Sequence, residues 1–334
     1  MLTSRNPHLA TLLGAVTADA AAMGLHWLYA ADRLEQLQRQ APLAFRPPAA
    51  ANYAGAQGYF AHGGKAAGEN SFYGETCRLV IHHLARHGRF DRLAYQQEWL
   101  AHFGPGGRYT GYIDHPTRAL VIRLLHCATP ADYPAVSGSA DSQLPALECV
   151  PALVACHRGS RSQLLDTVLE AVAVSHDHPL ANEAATAAAQ ALADVLEGVP
   201  LAKALANAAS FAGTTLQPLL ADALAMPRLD AVAAAARFGM ACPLEKGLPV
   251  IFHIARHAPN YATAVEANIL AGGDSCGRSL LLGALLAVRD TLHDTSMEDR
   301  SGIPLAWLTR VSDLAKLVGD AGTALRLDDE TPAI

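Results

Sequence analysis

Apolar positions recur along this chain at helical spacing and almost nowhere at the alternating spacing of a strand. In QLLDTVLEAVAVSH, Leu164, Leu165, Val168 and Val172 fall at i, i+1, i+4 and i+8, along one helical face. LANEAATAAAQALADVLEG runs unbroken to Gly198, a C-cap with Pro200 beyond it. The same texture predicts helices near residues 8–25, 75–88, 92–103, 117–126, 147–157, 201–211, 217–225, 229–238, 247–257, 261–270, 277–291 and 304–317. No β-branched alternating run competes with them, so the predicted class is all-α. Gly/Pro-rich breaks at 41–70, 104–116 and 130–145 separate helices of similar texture, and no repeat has a fixed period. A single domain spanning 1–334 is expected.

Two segments are apolar almost all round. The helix from Gly277 carries Leu280, Leu281, Leu282, Ala284, Leu285, Leu286 and Val288, which predicts a central, buried helix. LATLLGAVTADAAA near the N-terminus resembles the apolar part of a leader. Asp19 sits where a cleavage site would be, and the apolar pattern continues through MGLHWLY. It is therefore read as a helix of the mature fold. No run reaches the ~18–20 uninterrupted apolar residues of a membrane span.

Composition narrows the partners. The chain has 334 residues, 51% hydrophobic and 17% charged, with a formal net charge of −6. That excludes a protein held mainly on nucleic-acid phosphates or anionic lipid. Six cysteines (Cys77, Cys127, Cys149, Cys156, Cys242, Cys276) form no CxxC pair or zinc spacing, and read as buried free thiols of a cytoplasmic protein.

Four stretches carry candidate chemistry. In ADAAAMGLHWLYAADRL, Asp19 interrupts an apolar helix, and His26, Trp27 and Tyr29 follow its end. In AAGENSFYGETCRLVIHHL, Glu69, Asn70, Ser71, Tyr73, Glu75 and Thr76 form a polar cluster at a helix start, where acidic side chains also complement the dipole. In SADSQLPALECVPALVA, Asp141 and Gln143 suit a turn or N-cap. In AGGDSCGR, Gly272 and Gly273 permit positive φ, Asp274 or Ser275 caps the buried helix, and Arg278 in a first turn calls for an anionic partner. Cys276 at that helix start is either a nucleophile or a buried inert thiol; Asp274 beside it favours the inert form.

The order of these stretches resembles the ADP-ribosylglycohydrolase family over most of the chain. GAVTADAAAMG is similar to its opening helix, and YGET stands where the family has Thr-Asp-Asp-Thr. VSHDHPLA resembles its Thr-His segment, AGGDSCGR its Gly-Gly-Asp-x-Asp-Thr motif, and IPLAW (Ile303–Trp307) its C-terminal pattern. The resemblance implies a compact orthogonal multi-helix bundle with two divalent cations, Mg²⁺ or Mn²⁺, held at one end by carboxylates. It also implies cleavage of a bond at the anomeric carbon of ADP-ribose.

The departures are specific. Gly74 and Glu75 replace the two Asp of the first motif, so one carboxylate is gone. Cys276 and Gly277 replace the second Asp and the Thr of the other motif. His26 stands where some members carry an acidic residue, and LPALECVP lacks the glycines of the ribose loop. HWLY, GENSFYGE and GGDSCGR resemble the branch containing J-type lens crystallins and selenoprotein J.

The resemblance implies a hydrolase of an ADP-ribosyl or related N- or O-glycosidic linkage, with catalytic Glu75, Asp274 and His26. Asp19, Tyr29, Asn70, Ser71, Tyr73, Asp141, Gly272, Gly273, Cys276 and Arg278 would contact the ligand. Its dinuclear metal site would be degraded to Glu75, Thr76 and Asp274, holding Mg²⁺ or Mn²⁺, or would hold no metal. The alternative is a crystallin-like pseudo-enzyme that binds a nucleotide or sugar without turnover. The expected partners are a small nucleotide or sugar ligand and an ADP-ribosylated protein, with no nucleic acid and no membrane.

Overall fold

The computed structural model describes residues 6–293 and 302–326; the ends of the expected domain, 1–5 and 327–334, lie outside them. Sixteen α-helices occupy these residues, and no strand is formed among them. In chain order they are α1 (Pro7–Ala22), α2 (Ala31–Gln40), α3 (Phe72–His87), α4 (Arg92–Phe103), α5 (His115–Leu125), α6 (Val150–Cys156), α7 (Arg161–Ser175) and α8 (Pro179–Leu196). There follow α9 (Leu201–Phe211), α10 (Leu216–Ala225), α11 (Ala231–Phe238), α12 (Leu244–His257), α13 (Tyr261–Leu270), α14 (Ser275–His293), α15 (Leu305–Leu308) and α16 (Leu314–Ala324). The all-α class stands.

α1 and α14 form the axis, buried on all sides as their apolar sequences require. They meet at two glycines. A Cβ on Gly14 would lie 2.4 Å from the Cβ of Ala287, and one on Gly283 would lie 2.4 Å from the Gly14 carbonyl oxygen. Only glycine permits this backbone approach. Tyr261 of α13 locks the crossing by donating its hydroxyl to the Gly14 carbonyl at 2.7 Å. Further helices, including the Ala-rich α8 and the apolar α6 and α12, close around the pair in one contiguous core.

The structure changes several details of the sequence reading. Pro7–Leu25, although interrupted by His8, Thr11, Thr17 and Asp19, is long and apolar enough by length and mean composition to cross a membrane; 94% of its most apolar window is buried inside the protein. The first helix ends at Ala22 and passes into a 3₁₀ turn, Met23–Leu25. α2 was not foreseen: its sequence is mostly polar, and only Leu34 and Leu37 are buried. The single helix expected at 304–317 is broken between α15 and α16. There Asp313 takes φ 53°, Arg78 donates to the Ser312 carbonyl at 2.8 Å, and Ser312 N–H donates to the Gly68 carbonyl at 2.9 Å. These tertiary bonds hold the backbone outside a helical path. All six cysteines are free, but only Cys77, Cys149 and Cys276 are fully buried.

Candidate functional site

Three helix ends converge at one pole of the axis: the last turn of α1 with Asp19, the start of α3 with Ser71, and the start of α14 with Asp274. Asp274 is the N-cap of α14, as its sequence position suggested, and its Oδ1 accepts from Gly277 N–H at 2.9 Å. Gly272 and Gly273 take φ of 70° and 64° to deliver it. A Cβ on Gly273 would lie 2.1 Å from the Met240 carbonyl oxygen, so the turn admits no other residue.

Behind this turn lies Arg278, fully buried. Its Nε donates to Asn268 Oδ1 at 2.7 Å, and Nη2 donates to the carbonyls of Gly272 at 2.5 Å and Asn268 at 3.2 Å. The anionic partner expected for it as a ligand group is supplied instead by these oxygens and by the nearby Asp274 charge.

Asp274 is the centre of a dense network. Tyr73 donates its hydroxyl to Oδ2 at 2.9 Å, and His26 Nε2 lies 2.9 Å from Oδ1. Burial pushes this carboxyl up, but the hydrogen bond and charge of His26, the Cys242 thiol and Arg278 outweigh it. The net position is below the ordinary carboxylate range. His26 is held for this contact by strained backbone. Trp27 takes φ 62°, costly for a bulky residue, while its N–H donates to the Gly273 carbonyl at 2.8 Å.

The other nitrogen of His26, Nδ1, lies 2.8 Å from Nε2 of His62. His62 was not among the sequence candidates. It comes from the Gly-rich break at 41–70, brought in by pairing of Leu28 with Gly58 and by the Tyr29 N–H bond to the Gln57 carbonyl at 2.9 Å. Its Nδ1 is buried and has no hydrogen-bond partner. Burial, then the neighbouring His26 and Lys65, push His62 down to about 2, so the ring is neutral.

His62 forms part of the wall of a cavity of ≈ 290 Å³, together with Lys65, Glu69, Glu75, Arg108 and Tyr109. Glu75 and Arg108 also line an adjoining cavity of ≈ 280 Å³ on the α16 side. Lys65 Nζ sits 4.8 Å from the centre of the Tyr109 ring, whose buried hydroxyl has no partner. Glu75 Oε2 is 3.5 Å from His102 Nε2, an ion-pair distance rather than a good hydrogen bond. Burial raises Glu75, but His102, Lys65 and Arg78 prevail and keep it ionised. Lys65, Arg108 and Tyr109 were likewise missed. Their signal was available in the glycine-flanked HGGK and GPGGRYTGY, where cations and aromatics interrupt otherwise structureless breaks.

A family model described as ADP-ribosylglycohydrolase matches residues 3–331. The chain belongs to the ADP-ribosylglycohydrolase family. It is 25% identical to crystallin J1A of Tripedalia cystophora over 91% of each chain. A solved structure titled ADP-ribosylglycohydrolase-related protein complex shares the fold, with TM-score 0.71 and 16% identity, over 98% of this chain and 99% of that one.

The ADP-ribosylglycohydrolase positions expected to hold Mg²⁺ or Mn²⁺ do not form a cation site here. Both oxygens of Asp274 are engaged by the donors above. Thr76 Oγ1 donates to the Phe72 carbonyl of its own helix at 3.1 Å, and Glu75 faces His102. Cys276 Sγ is 0% exposed, 3.9 Å from the Asp19 carbonyl. A Cβ on Gly74, where the family has Asp, would lie 2.1 Å from Asp19 Oδ2 and 2.5 Å from Asn70 Nδ2. The lost carboxylate has no room to return. A hard dication needs converging free oxygens, and these residues do not present them.

Of the remaining candidates, Asp19, Asn70 and Ser71 form their own buried knot. Asp19 Oδ2 accepts from Asn70 Nδ2 at 2.8 Å and from Ser71 N–H at 2.9 Å. Tyr29 is half-buried against the 57–59 segment. Asp141 closes its own turn by accepting from Gln143 N–H at 3.0 Å and lies 3.9 Å from His176 Nε2. Burial, then Asp19 and Asp274, push the Cys276 thiol well up, which leaves it a neutral thiol despite its place at a helix start.

His83 and His87 of α3 with Glu98 of α4 lie within 4.8 Å of one another. His83 Nε2 accepts from Asp91 N–H at 3.0 Å, which places the ring proton on Nδ1, where it is donated to Glu98 at 2.7 Å. Arg86 bonds the same carboxylate. The cluster is a hydrogen-bonded brace between α3 and α4, without a free lone pair on His83 for a cation.

Proposed function

We propose that this protein hydrolyses an N- or O-glycosidic linkage of an ADP-ribosyl or related nucleotide-sugar compound, bound in the His62–Glu75–Arg108 cavity. The observation that carries the reading is the composition of that wall. Lys65 and Arg108 suit phosphate oxygens, Glu75 and the free Tyr109 hydroxyl suit ribose hydroxyls, and Glu75 is at a catalytic position of the family. The adjoining cavity, which shares Glu75 and Arg108, gives an elongated ligand room to continue. Ionised Glu75 would act as a charge-stabilising or base group beside the anomeric carbon, whose transition state carries positive charge.

The test is release of free ADP-ribose from ADP-ribosylated protein and from small ADP-ribosyl glycosides, followed by chromatography with Mg²⁺, with Mn²⁺ and with EDTA. Glu75→Gln is expected to lower kcat at least tenfold. Absence of release in every condition would overturn the hydrolase reading.

A second reading is favoured by the likeness to a crystallin: a protein that keeps the cavity and binds a nucleotide or sugar without turnover. Under it, ADP-ribose raises the melting temperature by mass action while no substrate is consumed.

A further inference from the structure

We propose that a cavity of ≈ 350 Å³ at the far end of α3 is a second binding site, for a small molecule that joins a phosphate group to a flat apolar part. It stands independently of the hydrolase reading. The cavity shares no lining residue with the two around Glu75. Nine residues of α3, about 14 Å at 1.5 Å per residue, separate Glu75 from Leu84 in its wall.

Three segments bring guanidinium groups to this cavity: Arg89 beyond the end of α3, Arg158 beyond α6 and Arg326 beyond α16. Among the described residues no Asp or Glu lines it. In a chain of net charge −6 such a wall is an exception.

Arginines near helix ends ordinarily complement the dipole or pair with carboxylates. The neighbours of these three do pair. Arg86 meets Glu98 at 3.0 Å, and Arg161 meets Asp194 at 3.1 Å and Glu197 at 2.7 Å. Among the described residues, Arg89, Arg158 and Arg326 have no such ion pair. Asp91 feels the Arg89 charge, but its carboxylate caps α4 by accepting from Ala94 N–H at 3.0 Å and is not part of the wall. Arg158 donates to the carbonyls of His157 at 3.0 Å and Leu325 at 3.4 Å. Neutral carbonyls orient a guanidinium and leave its charge uncompensated. Arg326 Nη2 lies 3.4 Å from where a Cβ on Gly88 would stand, which places it beside the Arg89 segment.

Guanidiniums around one cavity suit a phosphate, whose oxygens accept their paired N–H donors. Leu84 and Leu153 are buried and Phe90 is half-buried in the same wall, which gives an apolar or aromatic part of the ligand a dry surface. The volume stands at the small end of ligand pockets, roughly 300–1,000 Å³, and so favours a nucleoside monophosphate over a dinucleotide. The chain itself offers a competing anion, because Asp328, Asp329 and Glu330 follow Arg326 closely in sequence.

The test is isothermal titration calorimetry of the full chain with AMP, inorganic phosphate and adenosine. AMP is expected to bind with a Kd of about 1 mM or tighter, and the other two at least about tenfold more weakly. The AMP affinity is expected to persist in Lys65→Gln with Arg108→Gln, which strips the cations from the Glu75 cavity. Arg89→Gln with Arg326→Gln is expected to weaken AMP at least about tenfold. Both side chains are exposed, and an unchanged Tm checks that the fold is kept. Thr167→Trp, which fills the cavity from α7 and leaves every charge in place, is expected to weaken AMP as much.

No AMP binding to the wild type, binding that disappears with Lys65 and Arg108, or an affinity indifferent to either cavity variant overturns the proposal. The last arm is Asp328→Asn with Asp329→Asn and Glu330→Gln, expected to leave the AMP affinity within about threefold of wild type. AMP binding that appears only in this variant assigns the cavity to the chain's own carboxylates and overturns the proposal as well.

Discussion

Gly74→Ala is the sharpest test of how this site is built, because one methyl group meets the Asp19 knot directly. The new Cβ would stand 2.1 Å from Asp19 Oδ2 and 2.5 Å from Asn70 Nδ2. The helix backbone of α3 fixes the methyl, so the carboxyl must move. Oδ2 then loses Asn70 Nδ2 and Ser71 N–H, both buried donors. Each buried donor left without its acceptor costs about 1–3 kcal/mol, so the pair costs roughly 2–6. Replacing Gly by Ala in a helix returns at most about 1 kcal/mol. The net is a destabilisation of about 1–5 kcal/mol. For a chain of this length the unfolding entropy is roughly 0.7 kcal/mol/K, which converts the loss to about 1.5–7 °C in Tm. Differential scanning calorimetry measures it directly. The control is Gly319→Ala in α16, where a Cβ meets nothing within 4 Å; that change is expected to be neutral or slightly stabilising. A Gly74→Ala protein melting within 1 °C of wild type would refute the steric reasoning. Gly74→Asp should be at least as destabilising and should gain no Mn²⁺ affinity by calorimetric titration.

Arg278→Lys keeps the charge but cannot reproduce the fork that reaches Asn268 and Gly272. It is expected to cost about 3–5 kcal/mol in urea denaturation, and a loss under 1 kcal/mol would show that the fork is dispensable. Burial pushes His176 down to about 3 from an ordinary value of 6.5. Its folded value is depressed, so the stability linked to its neutral form is full above pH 6.5 and is lost as pH falls toward 3. That loss reaches about 2 kcal/mol by pH 5, and His176→Gln should flatten the pH dependence of stability across this window; an unchanged slope would rule the linkage out. Cys276 should resist iodoacetamide at pH 8 in the native state and react at an ordinary thiol rate in denaturant, read by mass spectrometry. Fast native labelling of Cys276 would contradict its burial.

The helical fold was legible because its signal is local and repeated. An Ala- and Leu-rich period survives in every segment, and the all-round apolar run after Gly277 is the buried α14. The Asp274 cap was legible for the same reason, since a cap depends on residues within one turn. The break after α15 was not, because distant groups, Arg78 and Gly68, fix it. The cavity wall was harder still. His62, Lys65, Arg108 and Tyr109 lie in segments without a period, and only tertiary pairing with Leu28 and the start of α3 gives them a common address. Arg278 shows the opposite error. An unusual charge at a helix start suggested a ligand, whereas the Gly272 carbonyl of the tight turn and the oxygens of Asn268 needed the same guanidinium.

The crossing of α1 and α14 at Gly14 and Gly283 also constrains motion. Helices that slide past one another need compressible side chains between them, and at this point there are none. The pole bearing Asp19 and Asp274 is therefore a stiff floor. Any accommodation to the bulk of an arriving molecule falls to the two loops, 57–65 and 104–112, that carry His62, Lys65, Arg108 and Tyr109 of the cavity wall. In hydrogen exchange, amides of the α1–α14 crossing should be the slowest in the protein, and ligand binding should slow those loops while leaving the crossing unchanged.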